Sequence, residues 1–481
     1  MYDLVFKYTS KQHAGAKALF SALYWPYLLF YGTIIAIIVM TIAFRRTVFY
    51  SLVIVFFILG SGFVFYSQGY RLDFRDWRVT KVGALYVASY PKDASIYIDD
   101  RSVKNESWLL KHGTFINDLF PKTYLLALSA PEYKDWQRTV TIAPSLVTEI
   151  KNAILIPVRA QQASALSDIS HFWVLPNGVL AIQSATSTLT IGSSTMPVAS
   201  TLLGHTVDGS SLLVRQKKTG AYVWVDRVTN TSFALSIGGS SASNPFFVVD
   251  SFANNSLLLA DSSGIATVNP RTNEKRVIAS LTPAVSNTII RSTITPTATS
   301  VIWAQYDSKK KSSTVRIFDK HSFMTTSLEP LPGKTQSIAS APNGMLAVIQ
   351  EDTGATFLIH PDTGAAELVA PASRLASFSP DGRSLALLVS DGIHVISLDD
   401  REPDSYVPLP ESTDITGFIW HKGSGHLLVI YPQVIRLLDV SDTTLQEFDD
   451  VLTGTLFRYD PTTNTVYGLN NGTLMKIVLP G

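Results

Sequence analysis

From Phe172 onward one punctuation recurs about every forty residues: a turn rich in Pro, Asn, Asp and Gly, followed at once by a short, uninterrupted apolar run. The turns are Pro176-Asn177-Gly178, Asp208-Gly209, Asn254-Asn255, Pro296-Thr297, Pro342-Asn343-Gly344, Pro380-Asp381-Gly382, Lys422-Gly423 and Asp460-Pro461. The runs are Val179 to Ile182, Leu212 to Val214, Leu257 to Leu259, Val301 to Trp303, Leu346 to Ile349, Leu385 to Leu388, Leu427 to Ile430 and Val466 to Leu469. Runs this short, bounded by turn residues, read as buried strands. A third strand follows in most units, for example Ala221 to Val225, Ile393 to Leu398 and Val434 to Leu438. A period near forty with about four strands per unit is the pattern of β-propeller blades. Eight units fit residues 160–481, with seven as the alternative because the first, Phe172 to Val198, is the least regular. The eighth ends after its third strand, Leu474 to Leu479, so its outer strand is expected from between Ile154 and Leu166, closing the ring. The stretch Ser236 to Asn244 reads as a surface loop.

The other end of the chain is governed by charge. After an N-terminal segment of residues 1–23, residues 24–67 form an apolar block broken only by Arg45-Arg46. Its halves, 24–44 and 47–67, carry no charge, and each is about as long as the roughly 20 helical residues that cross a bilayer core. The second half is the stronger span. A hairpin of two spans joined only by two arginines would have to unwind at its tip, and a start at Met40 would instead give a single signal-anchor. The lipid bilayer is therefore the expected partner of residues 24–67. Lys7, Lys11, Lys17, Arg45, Arg46, Arg71, Arg75, Arg78 and Lys81 flank the spans, and a positive-inside count over them favours cytoplasmic C-terminal domains.

Residues 78–157 show alternating strands. Gly83 to Tyr90 places Leu85, Val87 and Ser89 on one face, then come a Pro91-Lys92-Asp93-Ala94 turn, Leu119-Phe120-Pro121-Lys122-Thr123-Tyr124, and Tyr133-Lys134-Asp135-Trp136 before a closing strand. Through Pro91, Ala94, Leu119, Pro121, Tyr124, Tyr133 and Trp136 this stretch resembles the PEGA domain, a small β-sandwich. It departs from that pattern at Asp93, Lys122 and Glu132, where the family favours Gly. Tyr66 to Asp73 also looks like the membrane-exit segment of single-anchor PEGA proteins of prokaryotes. The resemblance implies an envelope protein with extracytoplasmic β-domains, against the charge count. Ser377-Phe378-Ser379-Pro380-Asp381-Gly382-Arg383-Ser384-Leu385-Ala386 resembles the WD40-like repeat of TolB-type propellers. Tyr97, Tyr124, Tyr133 and Trp136 read as sandwich packing, and Asp99-Asp100 as a hairpin turn.

Chemistry is sparse. Lys and Arg total 39 against 38 Asp and Glu, so no net field steers the chain toward nucleic acid, and with no cysteine there is neither disulfide nor thiolate. No zinc-protease, nucleophile-elbow, phosphate-loop or calcium-loop motif occurs. No catalytic, metal or cofactor residue is assigned. His421 and His426 flank a Gly-rich turn; Lys309-Lys310-Lys311 reads as a solvated hairpin tip; Asn105, Asn230, Asn254 and Asn471 sit in Asn-x-Ser/Thr triplets; and Trp224, Trp303 and Trp420 read as packing between blades. The expected function is that of a membrane-anchored, non-enzymatic envelope protein whose propeller binds a protein or polysaccharide. The alternatives are a glycan hydrolase or lyase using carboxylates from separate blades, such as Asp226, Asp319 and Asp439, and a cytoplasm-facing scaffold.

Overall fold

The computed structural model describes residues 42–73, 77–106, 113–192, 194–196, 200–235, 246–250, 256–261, 264–280, 287–289, 293–399, 403–409, 412–440 and 449–481. The chain divides into two compact units. The first holds residues up to Val87 with 114–126 and 138–150, and the second holds 88–113, 127–137 and 151–481.

The first unit begins with helix α1, Ile42–Ser67, whose segment Phe44–Ser67 is long and apolar enough to cross a membrane. The helix is continuous through Arg45 and Arg46, so no break separates residues 44 and 47. Nothing there stops a helix, since neither Gly nor Pro is present, and long arginine stems can lie along an apolar surface while their heads reach water. The span expected over 24–44 lies outside the described residues apart from its last three positions.

The strands that follow are β1 (Tyr70–Asp73), β2 (Arg78–Lys81), β3 (Gly83–Tyr90), β4 (Ser95–Ile98), β5 (Arg101–Val103), β6 (Thr114–Leu119), β7 (Thr123–Ser129), β8 (Trp136–Thr141), β9 (Val147–Ile154) and β10 (Gln161–Gln162). β1 pairs with β2, and two further small sheets have the orders β6-β3-β9 and β5-β4-β7-β8. The alternation of β3 buries Leu85, Val87 and Ser89. Asp99 and Asp100, both at positive φ, close the β4–β5 hairpin. Of the three positions that depart from the PEGA pattern, Asp93 and Lys122 have no need of a left-handed backbone, whereas Glu132 adopts one at φ +68°.

Residues 169–478 form eight antiparallel sheets in succession, here numbered I to VIII: 169–195, 200–234, 246–280, 287–332, 335–370, 375–408, 417–453 and 455–478. Each is laid out in chain order from a first to a fourth strand, with extra short strands in sheet IV. Sheet VIII has only three strands of its own, and its fourth is β10, pairing Gln161 with Lys476 and Gln162 with Met475. First strands lie against one another between sheets II and III, V and VI, VI and VII, and VIII and I. This is a β-propeller fold.

The apolar runs form the second strands, and their burial explains their composition. Leu346, Ala347, Val348 and Ile349 are all buried, as are Leu385 to Leu388 and Leu427 to Val429, because a sheet packed on both faces leaves no polar side to the strand. Alternate residues serve alternate neighbours. Ala347, Leu385 and Leu387 enter the layer between sheets V and VI, whereas Ala386 and Leu388 enter that between VI and VII. Eight such layers join successive sheets, the last uniting Ile169, Phe172 and Ile182 of sheet I with Tyr467, Leu469 and Leu474 of sheet VIII.

The turns between first and second strands have their own chemistry. In Ser379-Pro380-Asp381-Gly382 the Ser379 hydroxyl donates to Asp381 Oδ1 at 2.6 Å, the Arg383 amide donates to the same oxygen at 3.1 Å, and Gly382 takes φ +70°. Thr206 and Asp208 repeat the arrangement in sheet II with Gly209 at φ +67°. The residue types that mark the repeat are therefore those that close the turn.

Leu387→Ala should lower unfolding stability by about 2–5 kcal/mol through a cavity in the V–VI layer, whereas Leu368→Ala, on an exposed fourth-strand position, should change it by less than about 0.5 kcal/mol. Denaturant unfolding of the two variants side by side checks this.

Candidate functional site

In a sheet of antiparallel strands, turns alternate between two edges. Turns joining first to second and third to fourth strands lie at one edge of the ring, and those joining second to third strands, with the links between sheets, lie at the other. Residues leading into β10 meet the first edge. Ile154 and Ile156 enter the apolar layer between sheets VII and VIII, and Lys134 Nζ donates to the Asp450 carbonyl at 2.7 Å near the start of the fourth strand of sheet VII. The second edge carries a pocket.

That pocket, of about 500 Å3, lies where sheets VII, VIII and I converge. Gln433 comes from the second turn of sheet VII, and Thr453, Gly454 and Thr455 from the link to sheet VIII. Asn470, Asn471 and Gly472 come from the second turn of sheet VIII, and Ser170 from the first strand of sheet I. Backbone bonds fix these segments to one another: the Gly454 amide donates to the Gln433 carbonyl at 2.9 Å, and the Ile169 amide to that of Gly472 at 3.0 Å. Ser170 Oγ bonds to the Gln183 and Ser184 carbonyls. The carboxamides of Gln433, Asn470 and Asn471 have no hydrogen-bond partner among the described residues and are exposed on the rim.

Two backbone features shape the wall. Gly454 has φ +147°, and a Cβ there would stand 2.2 Å from the Leu469 carbonyl oxygen, so only glycine fits. Leu456, at φ +53°, breaks the register of the first strand of sheet VIII and is turned outward, 39% exposed. A bulky side chain in the left-handed region is a strained arrangement of the kind concentrated at functional sites. The lining contains no titratable group. It offers hydrogen-bond donors and acceptors of neutral type over an aliphatic floor of Ile169, Leu456 and Leu469, which equips it to hold an uncharged polar ligand.

Apart from Asn471, the residues singled out from sequence lie elsewhere. Asp226, Asp319 and Asp439 end the third strands of sheets II, IV and VII, at the edge opposite the pocket, and are not brought together. Asp226 accepts from the Val228 and Thr229 amides and pairs with Arg271 of the next sheet. The Thr229 amide holds its carboxyl below the usual range, with the hydroxyl of that residue, the Val228 amide and Arg271 helping against burial. Asp319 accepts from the His321 and Ser322 amides, so it too closes a turn. Trp224 and Trp303 are wholly buried, and Trp420 donates through Nε1 to the Ser377 carbonyl of the neighbouring sheet at 3.0 Å. Between residues 78 and 157, Tyr124 and Trp136 are buried and Tyr97 and Tyr133 half-buried. Lys309 to Lys311 are exposed on the second turn of sheet IV, where the Asp307 carboxylate accepts from the Lys309 and Lys310 amides. Asn105 donates to the Lys92 and Ala94 carbonyls. Asn230 occupies an exposed turn, and Asn254 lies outside the described residues.

His421 and His426 are both buried, 6.1 Å apart between ring centres, with Tyr459 5.9 Å from His421. Among the described residues no group of three or more His, Cys, Asp or Glu side chains could hold a metal ion. His421 Nδ1 lies 3.3 Å from the Gly423 amide that donates to it, and Nε2 has no partner among the described residues. Burial, with His426 and Lys422 beside it, pushes the His421 imidazole down to about 4 from its ordinary 6.5, although Asn464 pulls the other way. The unfolded chain therefore takes up a proton at higher pH than the folded one. Stability is full above pH 6.5 and falls toward pH 4, with about 1–2 kcal/mol lost between pH 7 and 5. His421→Gln should flatten that slope in denaturant unfolding measured at several pH values, whatever its effect at pH 7.

No protein-family model matches the chain, and no curated protein matches it. Among solved structures it is similar to β-propeller proteins. An oligogalacturonate lyase from Vibrio parahaemolyticus shows 11% identity over 65% of this chain and 99% of that one, with a TM-score of 0.44. A eukaryotic initiation factor shows 13% identity over 72% and 89%, with a TM-score of 0.44, and Kluyveromyces lactis Hsv2 shows 11% over 65% and 98%, with a TM-score of 0.38. Likeness at this level carries nothing about chemistry, and the propeller assignment rests on the order of the sheets themselves.

Proposed function

We propose that the chain is a membrane-tethered recognition protein whose ring, read as eight blades, binds an uncharged polar partner, a neutral polysaccharide or an extended protein segment, at the pocket between sheets VII, VIII and I. The observation that carries this reading is the set of three unbonded carboxamides, Gln433, Asn470 and Asn471, converging on a wall whose backbone tolerates only glycine at 454. A binding role is favoured over turnover because the lining has no acid, base or carboxylate pair to move a proton. The small β-domain serves as a PEGA-like spacer and the membrane helix as the tether, with the β-domains outside the cytoplasm.

Wild-type protein screened on arrays of neutral cell-envelope glycans and of peptides should give specific retention that is lost, or weakened at least about tenfold, in the double variant Gln433→Ala/Asn470→Ala, since both substitutions remove hydrogen-bonding groups from the rim. Retention unaffected by the double variant would defeat the assignment of the site. Glycan cleavage abolished by removing ring carboxylates would favour an enzyme instead. Sidedness has its own test: single cysteines placed at exposed propeller positions of this cysteine-free chain should react in intact cells with a reagent that cannot cross the membrane. Labelling only after lysis would assign the ring to the cytoplasm.

A further inference from the structure

Just past α1, the β1–β2 hairpin has its apolar side turned the wrong way for a protein surface in water. Register places Leu72 opposite Val79 and Tyr70 opposite Lys81, so these four side chains share one face. Leu72 is 42% and Val79 60% exposed, and Trp77, beside the hairpin's turn, is 78% exposed. On the other face Arg71 pairs with Asp118 of β6 at 2.8 Å, and the Thr80 hydroxyl is buried.

The hairpin is fastened to the end of the helix. Gly69, at φ +83°, reverses the chain after Ser67. The Tyr70 ring meets Phe65 edge-on at 5.6 Å, and the Arg71 guanidinium lies 3.7 Å over the Tyr66 ring while donating to the Tyr66 carbonyl. A cleft of about 540 Å3 remains between the helix, the hairpin and the end of β6, lined largely by apolar residues such as Phe65, Leu72 and Val79 and closed on one side by the Arg71–Asp118 pair. At about 1.5 Å per residue the 24 residues of Phe44–Ser67 span about 36 Å, somewhat more than a hydrocarbon core of about 30 Å. The last turn, and with it the cleft, then falls at the boundary between acyl chains and headgroups.

We propose that the β1–β2 hairpin is a second membrane-contact element, seated in the headgroup layer of the bilayer that α1 crosses, with phospholipid filling the cleft between hairpin and helix. The proposal rests on the reading of α1 as a membrane span. Lipid is the occupant because the cleft opens on the flank of the helix and its apolar lining continues the helix surface that the bilayer covers. Tyr66, Tyr70 and Trp77 supply the amphipathic rings of an interfacial belt. Lys81, on the same face, supplies a long stem whose charged end reaches the phosphates, and its Nζ already stands 5.1 Å over the Tyr70 ring.

The absence of cysteine permits a direct test on the full chain in phosphatidylcholine vesicles, with single spin labels at Leu72→Cys, Val79→Cys, Phe56→Cys in mid-helix and Leu368→Cys on the propeller. Collision with a water-soluble nickel chelate should be about threefold or more weaker at 72 and 79 than at 368, with oxygen collision between the values at 56 and 368, as interfacial depth requires. A lipid-buried label at 56 with 72 and 79 as open to water as 368 would overturn the hairpin proposal and leave the anchor standing. A water-exposed label at 56 would overturn both. Because labels can perturb a small hairpin, brominated lipid should also quench the fluorescence difference between unlabelled wild type and Trp77→Phe; no quenching of that difference would count equally against the proposal.

Discussion

Apolar contact between successive sheets is what the rest of the protein depends on. No single sheet of four short strands can bury its own faces, and each here is completed by a neighbour on either side. Trp224 and Leu213 of sheet II reach toward Leu257 and Leu259 of sheet III, while Leu212 and Val214, one position away, reach back to Leu175 and Leu189 of sheet I. Each fully buried side chain is worth about 1.5–3 kcal/mol relative to exposure, and the effect is collective because removing one sheet strands two layers. Many polar groups gather at the edges, where turns are closed by Asp, Ser and Thr side chains and where a ligand can be met.

That division explains how much could be read from sequence. Two-sided burial writes itself as runs such as Leu385 to Leu388, and turn closure writes itself as Pro-Asp-Gly, so strand order and period were legible without coordinates. The short stretch Ile154 to Leu166, expected to supply an outer strand, contains β10. Other features were less plain. Arg45-Arg46 looks like a boundary because charge interrupts an apolar run, yet a helix is indifferent to such a pair near its end, and α1 passes through it.

The pocket was not legible for a different reason. Gln433, Thr453, Asn470 and Ser170 are ordinary polar residues, far apart in the chain, and only the convergence of three sheets makes them neighbours. Asn471 belongs to an Asn-x-Ser/Thr triplet, but its turn, Asn470-Asn471-Gly472, is the better signal, since it places amides at the mouth of a ring. Conversely, Asp226 and Asp319 drew attention as acids and turned out to be engaged in turns, which is the commoner fate of a carboxylate at a strand end.

The pairing of Gln161 and Gln162 with Met475 and Lys476 also has a temporal meaning. During synthesis the outer strand of sheet VIII emerges before any other part of the ring, and its partner is the last strand of the ring to be made. Until sheet VIII is made, Phe172 and Ile182 at one end of the nascent series stay uncovered, because Leu469 and Leu474 have yet to arrive. A chain that stops short of sheet VIII would therefore present a sticky, half-finished crescent to the cell's quality-control machinery.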